Sequence, residues 1–307
     1  MMTAERHTPV LLQEVLAWLH PVSGSFVIDG TLGSGGHAER MFASIGPGGM
    51  LLGLDWDLFA LERAERRLTY RATSFHVRFK LALGNYAALP EILKKEQLPR
   101  ADGLLLDLGF SSEQIEGGGR GLSFLFDEPL DMRYGKDEHN MLSVAEVLRT
   151  FSEEDLARIF YEFGEERFSR RIARAIVERR KRNPIINSKD LALLVVHAVP
   201  AMFRFRQRIH PATRVFQALR IFVNHELENL ERALDSLDRI LTPEGRVVII
   251  SFHSLEDRMV KRRFQSLAHA GRGTVLTKKP VTPSPEEVFE NPRSRSAKLR
   301  AFAFHSS

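Results

Sequence analysis

The stretch Val27-Ile28-Asp29-Gly30-Thr31-Leu32-Gly33-Ser34-Gly35-Gly36-His37 constrains the fold of this chain more than any other. It reads as a short apolar strand that ends on a carboxylate and runs into a glycine loop opening a helix. Such a loop leaves bare backbone N–H groups and a helix N-terminus beside a strand end, a place suited to a nucleoside cofactor. Two later stretches repeat the pattern. Met50-Leu51-Leu52-Gly53-Leu54-Asp55 and Gly103-Leu104-Leu105-Leu106-Asp107 are again apolar strands finishing on aspartate. Three acids at strand ends imply one edge of a parallel sheet with a binding crevice along it.

Around these strands the chain alternates strand and helix signals. Continuous apolar runs at Phe26–Asp29, Met50–Asp55 and 103–107 suit strands buried on both faces. Leu58, Leu61, Ala64 and Leu68 recur at helical spacing over 57–68, and a mixed pattern predicts a further strand within 75–83. The segment 246–252 is the clearest late strand, with Pro243 and Gly245 as stop signals for a helix over 235–241. The middle differs. Ser143 and Ser152, each followed three residues later by an acid, predict helix N-caps. Helical patterns continue over 168–182 and Ser188–Ala198, with no strand signal from about 142 to 208. A long helix over 211–241 then returns the chain to the sheet, and the Pro- and Ser-rich stretch 278–295 reads as a loosely ordered loop. The expected organisation is an α/β domain over 1–125 and 209–307, interrupted by an all-helical insertion over 126–208.

Composition narrows the function classes. With 307 residues, 43% of them apolar and 27% charged, the chain can bury a sizeable core as a soluble protein. The absence of cysteine excludes disulfides, thiolate metal sites and cysteine nucleophiles. No apolar run reaches the ~18 residues a membrane span needs, and the N-terminus lacks the pattern of a signal peptide, so a cytoplasmic protein without membrane contact is expected. The net charge of +5 is unevenly spread. Arginines crowd 167–182, Arg204, Arg206 and Arg208 alternate, and Arg293, Arg295, Lys298 and Arg300 have no acid between them. Such clusters suit a polyanionic partner, although Glu165, Glu166 and Glu178 also fit a solvated, balanced helix face. The three clusters together favour nucleic acid.

The glycine loop alone leaves the cofactor open. Gly33-Ser34-Gly35 followed by Ala38 fits a dinucleotide pattern, and Asp55, 20 residues beyond Gly35, stands where an acid holds ribose hydroxyls. Asp29 favours S-adenosylmethionine over a nicotinamide, because a carboxylate there can meet the cationic amino-acid end of the former. Asp107 and Gly109-Phe110-Ser111-Ser112 would then lie where a methyl acceptor sits. For each aspartate alone, a helix cap is the simpler role.

Longer blocks carry a specific resemblance. They are His7-Thr8-Pro9-Val10-Leu11-Leu12, the loop from Asp29 to His37, Asp107-Leu108-Gly109-Phe110-Ser111-Ser112-Glu113-Gln114, Arg120-Gly121-Leu122-Ser123-Phe124 and Pro129-Leu130-Asp131-Met132-Arg133. His210-Pro211-Ala212-Thr213-Arg214-Val215-Phe216-Gln217-Ala218-Leu219-Arg220, Ser251-Phe252-His253-Ser254-Leu255-Glu256-Asp257-Arg258 and Asn291-Pro292-Arg293-Ser294-Arg295-Ser296 complete the set. In this order they resemble the RsmH (MraW) family along nearly the whole chain. The resemblance implies a class I S-adenosylmethionine-dependent methyltransferase, a Rossmann-like α/β sheet with an inserted all-helical domain. It implies methylation of a cytidine N4 in bacterial 16S rRNA, at the decoding region of the small ribosomal subunit. The domain over 1–125 and 209–307 would bind the cofactor, and 126–208 would recognise substrate; a homodimer is compatible. Carried over position by position, the cofactor contacts are Gly35, Gly36, His37, Asp55, Tyr86, Asp107 and Gln114, and no metal is implied. Tyr86 stands where the family usually has Phe, and Phe110 where Val is usual. Gly117-Gly118-Gly119 and Tyr134-Gly135 also depart from the family pattern, which bears on loop rigidity.

Methyl transfer from a sulfonium needs no protein nucleophile; placement can supply ~7–11 kcal/mol of the barrier. Cytosine N4 is a poor nucleophile because its lone pair is conjugated into the ring, so a buried acceptor that turns the amine would help. Asp107, as the catalytic candidate, or carbonyls and hydroxyls of the loop through Ser112, are expected to orient that amine. Substrate contacts are expected from Arg293 and Arg295, and further from His210, Arg214 and His253, with helix capping as the competing role for His210. Trp18 and Trp56 are expected in the core, and 117–121 reads as a lid or a permissive turn.

Overall fold

A computed structural model describes residues 9–109, 119–135, 142–204 and 209–306. The chain divides into two compact units, Met1–Gly109 with Leu227–Ser307, and Phe110–Glu226. The expected insertion over 126–208 lies inside the second.

The first unit opens with α1 (Leu12–Leu19), β1 (Phe26–Asp29), α2 (Gly36–Ile45), β2 (Met50–Asp55), α3 (Leu58–Phe75), β3 (Arg78–Leu83), α4 (Leu89–Lys95) and β4 (Ala101–Asp107). The strand runs read from sequence are realised with their acids at the last position. Asp57 caps α3 by accepting the Phe59 N–H, and the helix runs past the expected 68 to Phe75, where His76 turns left-handed at φ 55°. The mixed signal over 75–83 is an edge strand: β3 pairs on one side with β2, and its residues alternate between exposed and partly buried.

In the second unit the helices are α5 (Val144–Thr150), α6 (Glu153–Glu162), α7 (Ser169–Arg180), α8 (Ser188–Ala198), α9 (Ala201–Arg204) and α10 (Thr213–Asn224). Ser143 and Glu146 form a reciprocal capping box on α5, and Ser152 caps α6 through the Asp155 N–H. Leu148, Leu156, Phe160, Ile172 and Ile176 are buried between these helices. The basic run over 167–182 is partly answered within this unit: Arg174 meets Glu153, Lys181 meets Glu178, and Arg180 donates to the Leu148 carbonyl. Arg167 lies over the rings of Phe168 and Phe203.

The long helix expected over 211–241 is broken. α10 stops at Asn224, His225 is left-handed at φ 48°, and the chain continues as α11 (Glu226–Asp235) and α12 (Leu237–Ile240). A buried polar network enforces the break. The Asn224 amide donates to the Met132 and Arg220 carbonyls and accepts the Tyr134 N–H. Arg220 forks onto both oxygens of Glu226 at 2.7 and 2.9 Å, and the Tyr134 hydroxyl donates to the same carboxylate. Helix periodicity in the sequence carries no trace of these long-range partners.

The first unit closes with β5 (Leu241–Ser251), α13 (Ser254–His269), β6 (Gly273–Val275), α14 (Pro285–Glu290), a 3-10 turn at Pro292–Ser296 and β7 (Lys298–Phe304). β5 starts earlier than the expected 246, because its pairing with β4 slips register between Ala101 and Gly103 and so absorbs Pro243 and Gly245. The loosely ordered loop expected over 278–295 is ordered instead. Ser284 caps α14, Pro285 sits at its first turn, and the Glu287 carboxylate accepts the Leu11 N–H at 2.7 Å. Two members of the last basic cluster lie on β7, where Arg300 and Lys298 reach Asp257 at 2.6 and 3.5 Å. Burial raises the Asp257 pKa, but these cations outweigh it and hold the carboxyl below its ordinary range.

The strand order is β3-β2-β1-β4-β5-β7-β6, with β1 to β5 parallel and β7 antiparallel to both neighbours. Each face carries its own core. Ile28, Leu52, Leu104, Leu106 and Val247 pack under α4, α11 and α13, while Val27, Leu51, Leu105 and Val248 pack under α1, α2 and α3. Burial on both faces explains why these strands read as unbroken apolar runs. The order of strands reverses between β1 and β4, so the crevice outside their carboxyl ends is the switch point where ligands bind in such sheets.

Candidate functional site

Asp29, Asp55 and Asp107 end β1, β2 and β4 at that switch point, and register fixes them together: Asp29 pairs with Gly53 of β2 and Leu105 of β4. The loop after β1 is strapped across the strand tips. Gly30 donates to the Leu105 carbonyl, Leu32 to Leu54, and Gly33 to Asp55 Oδ2 at 2.8 Å. A Cβ at Gly30 would stand 2.5 Å from Leu106 Cδ2, so any larger residue would require that side chain to shift. Gly35 is left-handed at φ 81° and has no side chain to cap α2. The first-turn amides of Gly36 and His37 therefore open α2 at the strand tips, an anion-binding arrangement.

The three carboxylates sit in different environments. Asp29 is 1% exposed and accepts a 3.3 Å bond from the Thr31 N–H. Burial pushes its pKa up to about 7, with His37 pulling against the shift and the charges of Asp107 and Asp55 adding to it. Asp55 is also raised by burial, although its oxygens accept the N–H groups of Asp57 and Gly33. Asp107 donates its own N–H to Thr31 Oγ1 at 2.6 Å, but its Oδ1 is buried with no hydrogen-bond partner among the described residues. His37 is 6% exposed, its Nε2 stands 3.5 Å from Asp107 Oδ2, and both ring nitrogens lack a hydrogen-bond partner among the described residues. Buried polar atoms of this kind are rare unless something else satisfies them.

Tyr86 is buried at the start of a 3-10 turn after β3, held by Asn85, whose side chain accepts the Ala87 N–H. Its Cβ lies 3.3 Å from where a Gly30 Cβ would stand, which brings it to the same strand tips. Gly35, Gly36, His37, Asp55, Tyr86 and Asp107 thus converge. Gln114 lies outside the described residues, as do Phe110, Ser111, Ser112 and His7. Trp18 packs against the core, and Trp56 is partly buried. Thr31 was not expected in the site; its residue type beside Asp29 was the available signal.

The residues proposed for substrate have other local partners. His253 caps α13: its Nδ1 accepts the Glu256 N–H at 3.4 Å, and Glu256 returns to the Phe252 and His253 amides. That commits Nδ1 to the helix start, while Nε2 is buried without a hydrogen-bond partner among the described residues. His210 in the second unit stacks on Phe124 at 4.5 Å and accepts the Ala212 N–H, and burial lowers its pKa. Arg214 donates to the Glu165 carbonyl at 3.3 Å. Arg293 and Arg295 are exposed on the 3-10 turn before β7.

Chemically, the strand tips offer a buried acid that welcomes a cation, an acid two residues from a helix start that suits a diol, and amides for an anion. The sequence profile of a family described as the MraW methylase family matches residues 4–305. Similar proteins include the "Ribosomal RNA small subunit methyltransferase H" of Desulfosudis oleivorans, 46% identical over 311 residues, covering 96% of this chain and 98% of that one. Proteins of the same name from Koribacter versatilis and Thermotoga neapolitana are each 46% identical over 297 residues, covering 97% and 96% of this chain and 93% and 95% of theirs. Among solved structures, a precorrin-6y C5,15-methyltransferase from Geobacter metallireducens has a TM-score of 0.44 at 11% identity, over 98% of this chain and 96% of that one.

Proposed function

Since this chain belongs to the MraW methylase family, we propose that it transfers a methyl group from S-adenosylmethionine to the N4 of a cytidine in 16S rRNA, at the decoding region of the small ribosomal subunit. The observation that carries the reading is the set of three carboxylates at neighbouring strand tips around the switch point, one of them buried beside unpartnered polar atoms. Relatives named ribosomal RNA small subunit methyltransferase H support the substrate class.

The residues fit the cofactor. Asp29 would balance its ammonium group, the Gly36 and His37 amides its carboxylate, and Asp55 its ribose hydroxyls, with Tyr86 beside the adenosine. When bound, S-adenosylmethionine supplies an electrophilic methyl on a sulfonium. Asp107 Oδ1, buried and unsatisfied among the described residues, is the acceptor suited to one hydrogen of the N4 amine. The helical unit and the exposed Arg293 and Arg295 form the RNA surface in this reading, with the target base drawn out of its stack.

Incubation of the protein with small subunits and labelled S-adenosylmethionine, followed by mapping of the modified nucleotide, tests the proposal. One labelled cytidine in 16S rRNA, with the methyl on N4, is the expected outcome. Label on another base, or none, refutes it.

A further inference from the structure

Asp55 and Asp107 end parallel strands alike, yet they are held differently. Both Asp55 oxygens accept main-chain amides, from Gly33 and Asp57, so its carboxylate is fixed by the fold. Asp107 uses Thr31 Oγ1 only for its own N–H, which steadies the backbone and leaves Oδ1 without a hydrogen-bond partner among the described residues. Among the described residues, the His37 ring approaches the carboxylate, with Nε2 3.5 Å from Oδ2. That ring lies on the first turn of α2 and is buried.

We propose that the His37 imidazole is a positioning residue for Asp107: its Nε2, 3.5 Å from Oδ2 and short of a hydrogen bond in this structure, closes on that oxygen when substrate binds, so that Oδ1 is presented to the substrate amine. The inference rests on the methyl-transfer reading and divides His37 in two: its main-chain N–H serves the cofactor, and its ring serves the acceptor. Cytosine N4 must turn its lone pair out of conjugation, and a carboxylate that holds one N–H from a fixed direction favours that turn. As the N–C bond forms from this lone pair, the C–S bond breaks and its electron pair stays on sulfur. The nitrogen then carries one proton too many. That proton passes to Oδ1, and the resulting carboxyl releases it to water when the product leaves.

The side-chain amides of Gln and Asn discriminate between the two ring nitrogens, because a Gln amide reaches toward the Nε2 position and an Asn amide toward Nδ1. Single-turnover transfer to unmodified small subunits at saturating labelled cofactor is to be measured for His37→Gln, His37→Asn and His37→Leu, with S-adenosylhomocysteine affinity measured beside it. Expected are a rate about 100-fold down for Asn and Leu, within about tenfold of the unaltered protein for Gln, and affinities that change less than about threefold. Asn equal to Gln overturns the inference, and so does an affinity loss that accounts for the rate at lower cofactor and vanishes at saturation. Should His37→Leu not fold, the Gln–Asn comparison decides. Absence of transfer by the unaltered protein overturns the methyl-transfer reading itself, and this inference with it.

Discussion

Replacing Asp29 by Asn should make the protein more stable, and the gain should depend on pH. The buried carboxyl titrates at about 7 against an ordinary 3.8, mainly because burial disfavours its charged form. Between these values the folded chain holds a proton that the unfolded chain has released. Stability from this group therefore falls as pH rises from about 4 to about 7, and is level above. At roughly 1.36 kcal/mol per pKa unit, the cost is about 1.6 kcal/mol at pH 5 and about 4 kcal/mol at pH 8. All other titrating groups are common to both proteins. The difference between them should accordingly grow by roughly 2.5 kcal/mol in favour of Asp29→Asn from pH 5 to pH 8.

Urea unfolding of both proteins at the two pH values, without cofactor, reads that double difference. A stability difference that does not change with pH refutes the reasoning. The same ionisation should appear in binding. A cationic amino-acid group needs the carboxylate charged, so S-adenosylhomocysteine affinity in the native protein should weaken about fivefold from pH 7 to pH 6. The Asp29→Asn protein should bind more weakly at pH 8 and lack that component of the slope, as titration calorimetry can establish.

Asp107→Asn should lose about 10²-fold or more of single-turnover rate at saturating labelled cofactor; full turnover would remove Asp107 from the chemistry. Arg293→Ala with Arg295→Ala should weaken RNA binding and lower the salt slope by about 2, with cofactor affinity unchanged, as a salt titration would read; an unaltered slope would place the RNA elsewhere. Asn224→Ala should destabilise by about 2–4 kcal/mol, since three hydrogen bonds, two of them buried, lose their partner, and urea unfolding checks this. Tyr134→Phe, which removes one donor to Glu226, should cost about 1–2 kcal/mol by the same assay.

The parallel half of the sheet was legible because its strands are buried on both faces and end on a residue type that stops an apolar run. β6 and β7 were not. β7 carries Lys298 and Arg300 among its apolar residues, and the acid that neutralises them, Asp257, lies on another element far along the chain. The turn at Asn224 and His225 was hidden for the same reason: its partners, Met132 and Tyr134, are remote in sequence. Local pattern reports which face a residue presents, and long-range polar partners leave no periodic trace.

The candidate site makes this distinction sharpest. Sequence offers three equivalent signals, an aspartate at a strand end, and cannot separate their roles. Structure separates them by what each oxygen meets. Asp55 is saturated by main-chain amides and rigid, so it suits a fixed diol. Asp29 is buried with little compensation, so its charge becomes favourable only when a cation arrives. Asp107 keeps an unpartnered oxygen among the described residues beside an imidazole, so it can both accept a hydrogen and be steered. Exchanging these environments would exchange the roles, even with the sequence pattern intact. A donor introduced within reach of Asp107 Oδ1 would make it resemble Asp55, and transfer should then fail although every acid remains in place.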